Sequence, residues 1–106
     1  MQAQTKRVYQ LSGLIVNRNT HEAVPYAQVR VNNGRRGTIA NGDGFYSIPV
    51  VETDTIYYGS LGFLTSKLAF GEYLKEYQGD VNSAYVYAIN YIEEDSIILT
   101  GITIFP

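Results

Sequence analysis

Residues 24–63 read VPYAQVRVNNGRRGTIANGDGFYSIPVVETDTIYYGSLGF, and this stretch decides the fold. Its glycines fall between short runs in which apolar and polar residues alternate. Such alternation is typical of strands that bury one face, and glycine supplies the positive φ angles that tight turns require. The stretch therefore predicts an all-β protein built from short strands and tight turns.

The same alternation continues on both sides of this stretch. The predicted inward positions are Leu11, Gly13 and Ile15; Ala27, Val29 and Val31; Tyr46, Ile48 and Val50; and Ile56 with Tyr58. Leu14 and Val16 interrupt the polar side of the first run, so we expect both of its faces to be partly covered. Pro49 has no N–H to donate, which predicts an edge strand or a bulge. The spacing predicts a Greek-key β-sandwich of about seven strands.

The turns and one unusual segment complete the expected organisation. Asn41-Gly42-Asp43-Gly44 predicts a hairpin turn, and Gly62 is expected to lead the chain from one sheet to the other. Between residues 71 and 83, Tyr73, Leu74 and Tyr77 lie at helical spacing, which predicts a short helix or an irregular insertion. Residues 97–105 are expected to form a last strand.

Length and composition indicate one domain over residues 1–106, with residues 1–6 expected to be disordered. The formal net charge is −2 and the pI is about 5.2, so the chain has no basic field that would attract nucleic acid. The absence of cysteine excludes disulfides and thiolate sites. No apolar run is long enough for a membrane helix. The opening Met-Gln-Ala-Gln resembles the end of an export signal, and we expect that Met1 replaces such a signal.

The ionisable residues form no recognisable catalytic or metal-binding set. His21 is the only histidine and lies in a predicted turn, without a nucleophile and an orienting partner in the sequence. Asp43 with Asn41, and the acidic run 93–95, could offer oxygen ligands to calcium, but their spacing favours ordinary turns. We expect no enzyme activity, no metal and no cofactor.

Six aromatic residues remain as a candidate binding surface: Phe45, Tyr57, Tyr73, Tyr77, Tyr85 and Tyr87. Exposed rings can stack on sugars or anchor a protein partner. The alternative is that segment 71–83 covers one sheet and that the rings form a second small core. Exposed rings on one sheet would favour glycan binding, whereas burial under this segment would oppose it.

The order of these motifs resembles that of the carboxypeptidase regulatory-like domain. The resemblance rests on LSGLIVN at 11–17, EAVPYAQVRV at 22–31, the Gly37-Thr38 pair, NGDGFYSI at 41–48 and LGF at 61–63. It implies a transthyretin-like β-sandwich exported by Bacteroidetes-type bacteria. Such domains occur alone, beside enzymes, or in front of TonB-dependent receptors.

This resemblance implies a non-catalytic accessory or protein-interaction domain in the periplasm or at the cell surface. The expected partner is an envelope protein or a longer parent chain, with no nucleic acid and no membrane span. The alternative function is a carbohydrate-binding module that uses the exposed Tyr and Phe rings.

Overall fold

The computed structural model describes residues 7–32, 34–80 and 82–95, which form two packed β-sheets and one short helix. The elements are β1 (Val8–Asn17), β2 (Gln28–Val31), β3 (Arg36–Ile39), β4 (Phe45–Val51), β5 (Thr55–Gly59), β6 (Ser66–Ala69), α1 (Phe70–Lys75) and β7 (Tyr85–Ile92). The prediction of an all-β sandwich is confirmed. The expected strand at 97–105 and residues 1–6 lie outside the described residues.

The three-stranded sheet has the order β4-β1-β7, and the four-stranded sheet has the order β3-β2-β5-β6. β1 is the central strand of the smaller sheet. It pairs antiparallel with β4 and parallel with β7, and in this register Gly13 lies between Tyr46 and Ala88. Pro49 belongs to β4, an edge strand, as its missing N–H predicted.

The core lies between the two sheets and is built from alternate residues of each strand. All the predicted inward positions of β1, β2, β4 and β5 are buried. Gly13 is required at its position because a Cβ there would lie 2.1 Å from the carbonyl oxygen of Ala88 and 3.0 Å from the hydroxyl of Tyr46. The missing side chain therefore permits the close pairing of β1 with β7.

Two of the predicted turns join the expected strands, but the sheets to which these strands belong differ from the prediction. Asn41 reverses the chain as predicted, since its Oδ1 accepts hydrogen bonds from the N–H groups of Asp43 and Phe45. However, this turn joins β3 to β4, which lie in different sheets, so it is not a hairpin. Gly62, at φ +88°, lies in the loop between β5 and β6 of one sheet and does not change sheets. Turn chemistry specifies a local reversal, but not which strands pair on either side of it.

The segment predicted to be helical or irregular contains α1, a helix of six residues, followed by irregular chain. Phe70 at its start is fully buried, and its ring packs edge-on against Tyr9 with centroids 5.3 Å apart. Five half-buried apolar residues pack against this side of the core. All of them belong to residues 63–77: Phe63, Leu68, Tyr73, Leu74 and Tyr77. We call this group the side seam of the sandwich.

Candidate functional site

The outward face of the three-stranded sheet carries exposed and half-buried apolar side chains. The strand register aligns Phe45 of β4, Leu14 of β1 and Ile89 of β7 in one row across the sheet. Phe45 and Ile89 are 40% and 50% exposed, respectively. Val16 and Tyr91 form the next pair beside this row. We call these five residues the apolar face.

Polar groups border the apolar face on the side towards the start of β1. Ser47 accepts a hydrogen bond from the side-chain amide of Gln10, and its hydroxyl lies 2.8 Å from that of Ser12. Tyr87 lies in the same row of the sheet as these serines, and Tyr85 lies in the row of Gln10. An apolar centre with a polar border is the usual anatomy of a protein contact surface.

The β4 edge of the three-stranded sheet is closed to further pairing along most of its length. Asn41 bonds both backbone groups of Phe45, and the Arg36 guanidinium donates to the carbonyl oxygen of Pro49. The N–H of Val51 donates to Asp54. Because edge strands with free N–H and C=O groups attract other chains, these contacts protect this side of the molecule.

The β7 edge is protected over only part of its length. The N–H groups of Gln10 and Arg18 donate to the carbonyl oxygens of Ala84 and Ile92, so the even-numbered residues of this strand face β1. The backbone groups of residues 85, 87, 89 and 91 therefore face the free edge. The N–H of Tyr85 donates to the hydroxyl of Ser83.

Two tyrosine hydroxyls protect Tyr87 on this edge. The hydroxyl of Tyr73 donates to the carbonyl oxygen of Tyr87 at 2.6 Å, and the hydroxyl of Tyr77 accepts from its N–H at 3.1 Å. The two rings contact each other with centroids 5.6 Å apart. The pKa of Tyr73 is raised, mainly by burial and to a smaller extent by the neighbouring Tyr77. Its hydroxyl therefore stays protonated and can donate a hydrogen bond.

Ile89 and Tyr91 are the open part of the β7 edge. Within the ranges 7–32, 34–80 and 82–95, no hydrogen bond reaches their outward N–H and C=O groups. Beside them lies a shallow recess of about 170 Å³ lined by Arg18, Leu64, Thr65, Ser66, Tyr91 and Glu93. The side seam, the recess and the open backbone groups thus lie on the same side of the sandwich.

A buried network around Asp54 holds the β4 end of the sheet in place. Its carboxylate accepts hydrogen bonds from Asn32, Arg36 and the N–H of Val51 at 2.8–2.9 Å. Burial by itself would raise the pKa of this carboxyl. The hydrogen bonds from Val51, Asn32 and Arg36, together with the Arg36 charge, outweigh that effect and lower the pKa. The network ties β4 to the loop before β3 and thereby supports the closed edge.

The six predicted site residues occupy three separate places. Phe45, Tyr85 and Tyr87 lie on the outward face of the three-stranded sheet, where Leu14 and Ile89 separate the first from the other two. Tyr57 lies on the outward face of the other sheet, paired with Arg30 and Lys67. Tyr73 and Tyr77 are half-buried in the side seam. The six rings therefore do not form one surface, and Tyr73 and Tyr77 pack against the main core.

Asp43 lies in the Asn41 turn, as predicted, whereas the acidic run 93–95 is not the predicted turn: Glu94 forms an antiparallel bridge with Phe63. His21 is an exposed turn residue at φ +65°, with its ring edge-on to Tyr91 at 6.5 Å. Glu94 accepts a hydrogen bond from the side-chain amide of Asn17. Among the described residues, no three His, Cys, Asp or Glu side chains are grouped to hold a metal. No helix in the described part of the chain is both long and apolar enough to cross a membrane.

Two features of this site were not among the predicted site residues. The first is that Leu14 and Ile89 belong to the apolar face. The sequence indicated Leu14, because this residue interrupts the polar side of β1. The expectation that both faces of β1 are partly covered is confirmed by half-buried Leu14 and Val16. The protection of Tyr87 had no signal, because hydroxyls that bond to a backbone leave no pattern in the sequence.

Comparison with solved structures finds similar folds in pilus proteins. One is the full-length major pilin SpaD from Corynebacterium diphtheriae, with a TM-score of 0.55 and 8% identity over 85% of this chain and 31% of that chain. Another is the pilus 2b backbone protein of group B streptococcus, with a TM-score of 0.52 and 12% identity over 86% of this chain and 43% of that one. At these identities the likeness concerns the fold alone.

The present chain spans less than half the length of either pilus protein. No family model and no curated protein matches the chain. The carboxypeptidase regulatory-like assignment therefore stays a prediction, whereas the β-sandwich is shown.

Proposed function

We propose that this β-sandwich is a non-catalytic protein-interaction domain of the bacterial cell envelope. The observation that carries the proposal is the row Phe45–Leu14–Ile89 across the outward face of the three-stranded sheet. A row of apolar side chains that is half exposed to water is stabilised when a partner covers it, because burial of apolar area is favourable. Aliphatic and aromatic side chains together suit a protein surface better than a sugar, which prefers a platform of rings.

The partner is a neighbouring protein domain, in a longer parent chain or in an envelope assembly. Support comes from the two pilus proteins of similar fold, in which the matched region is less than half of the chain. The motif order that resembles the carboxypeptidase regulatory-like domain also supports an exported domain beside others. Location outside the cytoplasm and the absence of enzyme activity belong to this proposal.

A photo-crosslinking amino acid placed at position 45 in the cells that make this protein tests the proposal. Irradiation should link Phe45's position to one defined envelope protein, or to another domain of the parent chain, in the periplasmic or surface fraction. Glu52 is the matched control, because it is exposed and lies just beyond the same strand. Equal labelling at both positions, or recovery of the protein in the cytosolic fraction, would overturn the proposal.

A further inference from the structure

The β7 edge and the side seam together form a place that an added strand would fit. In the described part of the chain, the three-stranded sheet packs on a sheet of four strands, and no hydrogen bond reaches the outward backbone groups of Ile89 and Tyr91 on its β7 edge. The half-buried residues of the side seam lie on that side of the core. A strand added to β7 would pair with the open groups and cover the seam.

The site determines what kind of strand fits. The inner face of an added strand would lie towards apolar residues of the side seam, such as Leu68. Its outer face would extend the row Phe45–Leu14–Ile89. Apolar side chains therefore suit both faces along most of the strand, and uncharged polar ones suit the recess beside Tyr91, which Arg18 and Glu93 line. Charged side chains on either face would oppose the pairing.

Residues 96–106 of this same chain have that chemistry. They read SIILTGITIFP, contain no charged residue, and include six β-branched residues among eleven. Apolar residues occupy both parities of the segment, which suits a strand covered on both faces. Eleven extended residues span roughly 35 Å, which is more than the open part of the edge, because Tyr87 and Glu93 on either side of Ile89 and Tyr91 already have hydrogen-bond partners.

The direction of the chain at Asp95 decides which copy receives the segment. The N–H of Leu64 donates to the carbonyl oxygen of Glu93, and the N–H of Asp95 donates to that of Gly62. Together with the antiparallel bridge Phe63–Glu94, these bonds make residues 93–95 run antiparallel to residues 62–64. Where it reaches Asp95, the described chain therefore points away from β6 and from the open edge of its own copy.

We propose that residues 96–106 of one copy add as a fourth strand to the three-stranded sheet of a second copy, along the Ile89–Tyr91 edge of β7. The inference rests on the proposed interaction function, and it identifies a second copy of the chain as the partner at the β7 edge. Tyr73 and Tyr77 limit the addition, because their hydroxyls occupy the backbone groups of Tyr87. The contact is head-to-tail, so it can continue from copy to copy.

The test uses two variants of the 106-residue chain, each defective in one half of the contact. Ile89→Lys places a charge at the receiving edge, and Ile102→Lys places one in the donated segment. Each variant alone should remain monomeric in analytical ultracentrifugation, with association about tenfold or more weaker than in the unchanged chain. Their mixture should form a one-to-one dimer, because each supplies the half that the other lacks.

Ser47→Lys is the matched control, because it places the same charge on β4 at the opposite edge of the same sheet. It should associate like the unchanged chain. Circular dichroism checks that all variants fold. A second acceptor variant, Ile89→Pro, adds no charge and removes the N–H that faces the open edge, which is not one of those that bond β1. Hydrogen exchange at Ile89 and Tyr91 should slow in the mixture compared with the Ile102→Lys variant alone.

A mixture that remains monomeric, or variants that associate like the unchanged chain, would overturn the strand addition. The proposed interaction function is tested separately by crosslinks from position 45. If those crosslinks reach a different envelope protein while the mixture stays monomeric, the strand addition is wrong and the interaction domain stands.

Discussion

The hydroxyl of Tyr46 donates a hydrogen bond of 2.6 Å to the Oδ1 atom of Asn90 inside the sandwich. The hydroxyl of Tyr58 lies 2.9 Å from that of Tyr46 and, since the Tyr46 proton is directed to Asn90, it acts as the donor. Burial raises the pKa of Tyr46 and of Tyr58. The network links β4, β5 and β7, and thus both sheets, through groups that are polar in an apolar core.

Tyr46→Phe should destabilise the protein more than Tyr58→Phe. The first change removes both the 2.6 Å bond to the buried Oδ1 atom of Asn90 and the hydroxyl that accepts from Tyr58, at a cost of about 1–3 kcal/mol in the free energy of unfolding. The second change leaves the bond from Tyr46 to Asn90 intact and should cost about 0.5–1.5 kcal/mol. Urea unfolding at neutral pH measures both. Equal losses in the free energy of unfolding would show that the hydrogen bond to Asn90 contributes no more than the one between the two tyrosines.

The sequence could predict which strand residues face the core, because the alternation of apolar and polar residues along a strand is a local property. Leu11, Val29, Ile48 and Ile56 were all assigned to the core and are buried. A strand that buries one face repeats its apolar residues with a period of two whatever its neighbours are. For the same reason the interruption at Leu14 correctly indicated cover on the second face of β1.

Strand pairing and the candidate site could be predicted only in part. The Asn41 turn and Gly62 have the same local chemistry in a hairpin and in a connection between sheets, so the sequence left their partners unspecified. The protection of Tyr87 arises because Tyr73 of α1 lies beside β7, a contact between segments that the sequence does not align. Tertiary contacts of this kind have no periodic signal.

Stability should fall in acid because of Asp54. Its folded-state pKa lies below the ordinary value of about 3.9. The carboxylate therefore contributes stability above the unfolded-state pKa, and this contribution is lost as the pH falls through the folded-state pKa. Urea unfolding from pH 7 to pH 2 measures the loss. Asp54→Asn should be less stable at pH 7, by about 1–3 kcal/mol, and should depend less steeply on pH below about 4.

Arg36, the ion-pair partner of Asp54, offers a control variant. Arg36→Met removes an exposed guanidinium whose side chain is 49% accessible, so it should cost only about 0–1 kcal/mol. Asp54 would keep its bonds from Asn32 and Val51 in this variant. If Arg36→Met were as damaging as Asp54→Asn, the ion pair would dominate over the hydrogen bonds, contrary to this account.

Gly13→Ala and Gly62→Ala should differ sharply, although each adds one methyl group. At Gly13 the new Cβ would meet the backbone carbonyl of Ala88 at 2.1 Å, which forces β1 and β7 apart. We expect a loss of about 3 kcal/mol or more in the free energy of unfolding. At Gly62 no atom lies within 4 Å, and only the φ of +88° opposes the change, at about 1–2 kcal/mol. Thermal unfolding compares the two, and a reversed order would contradict the assigned register.

Substitutions of Phe45 and Phe70 compare a ring on the surface with a ring in the core. Phe70 is fully buried against Tyr9, so Phe70→Ala should cost about 3–5 kcal/mol in the free energy of unfolding. Phe45 is 40% exposed on the apolar face, and Phe45→Ser should cost about 1 kcal/mol or less because much of its ring already contacts water. The same Phe45→Ser variant should bind less of a hydrophobic dye than the unchanged protein, because it interrupts the row with Leu14 and Ile89. A large loss of stability for Phe45→Ser would mean that this ring belongs to the core rather than to a surface for a partner.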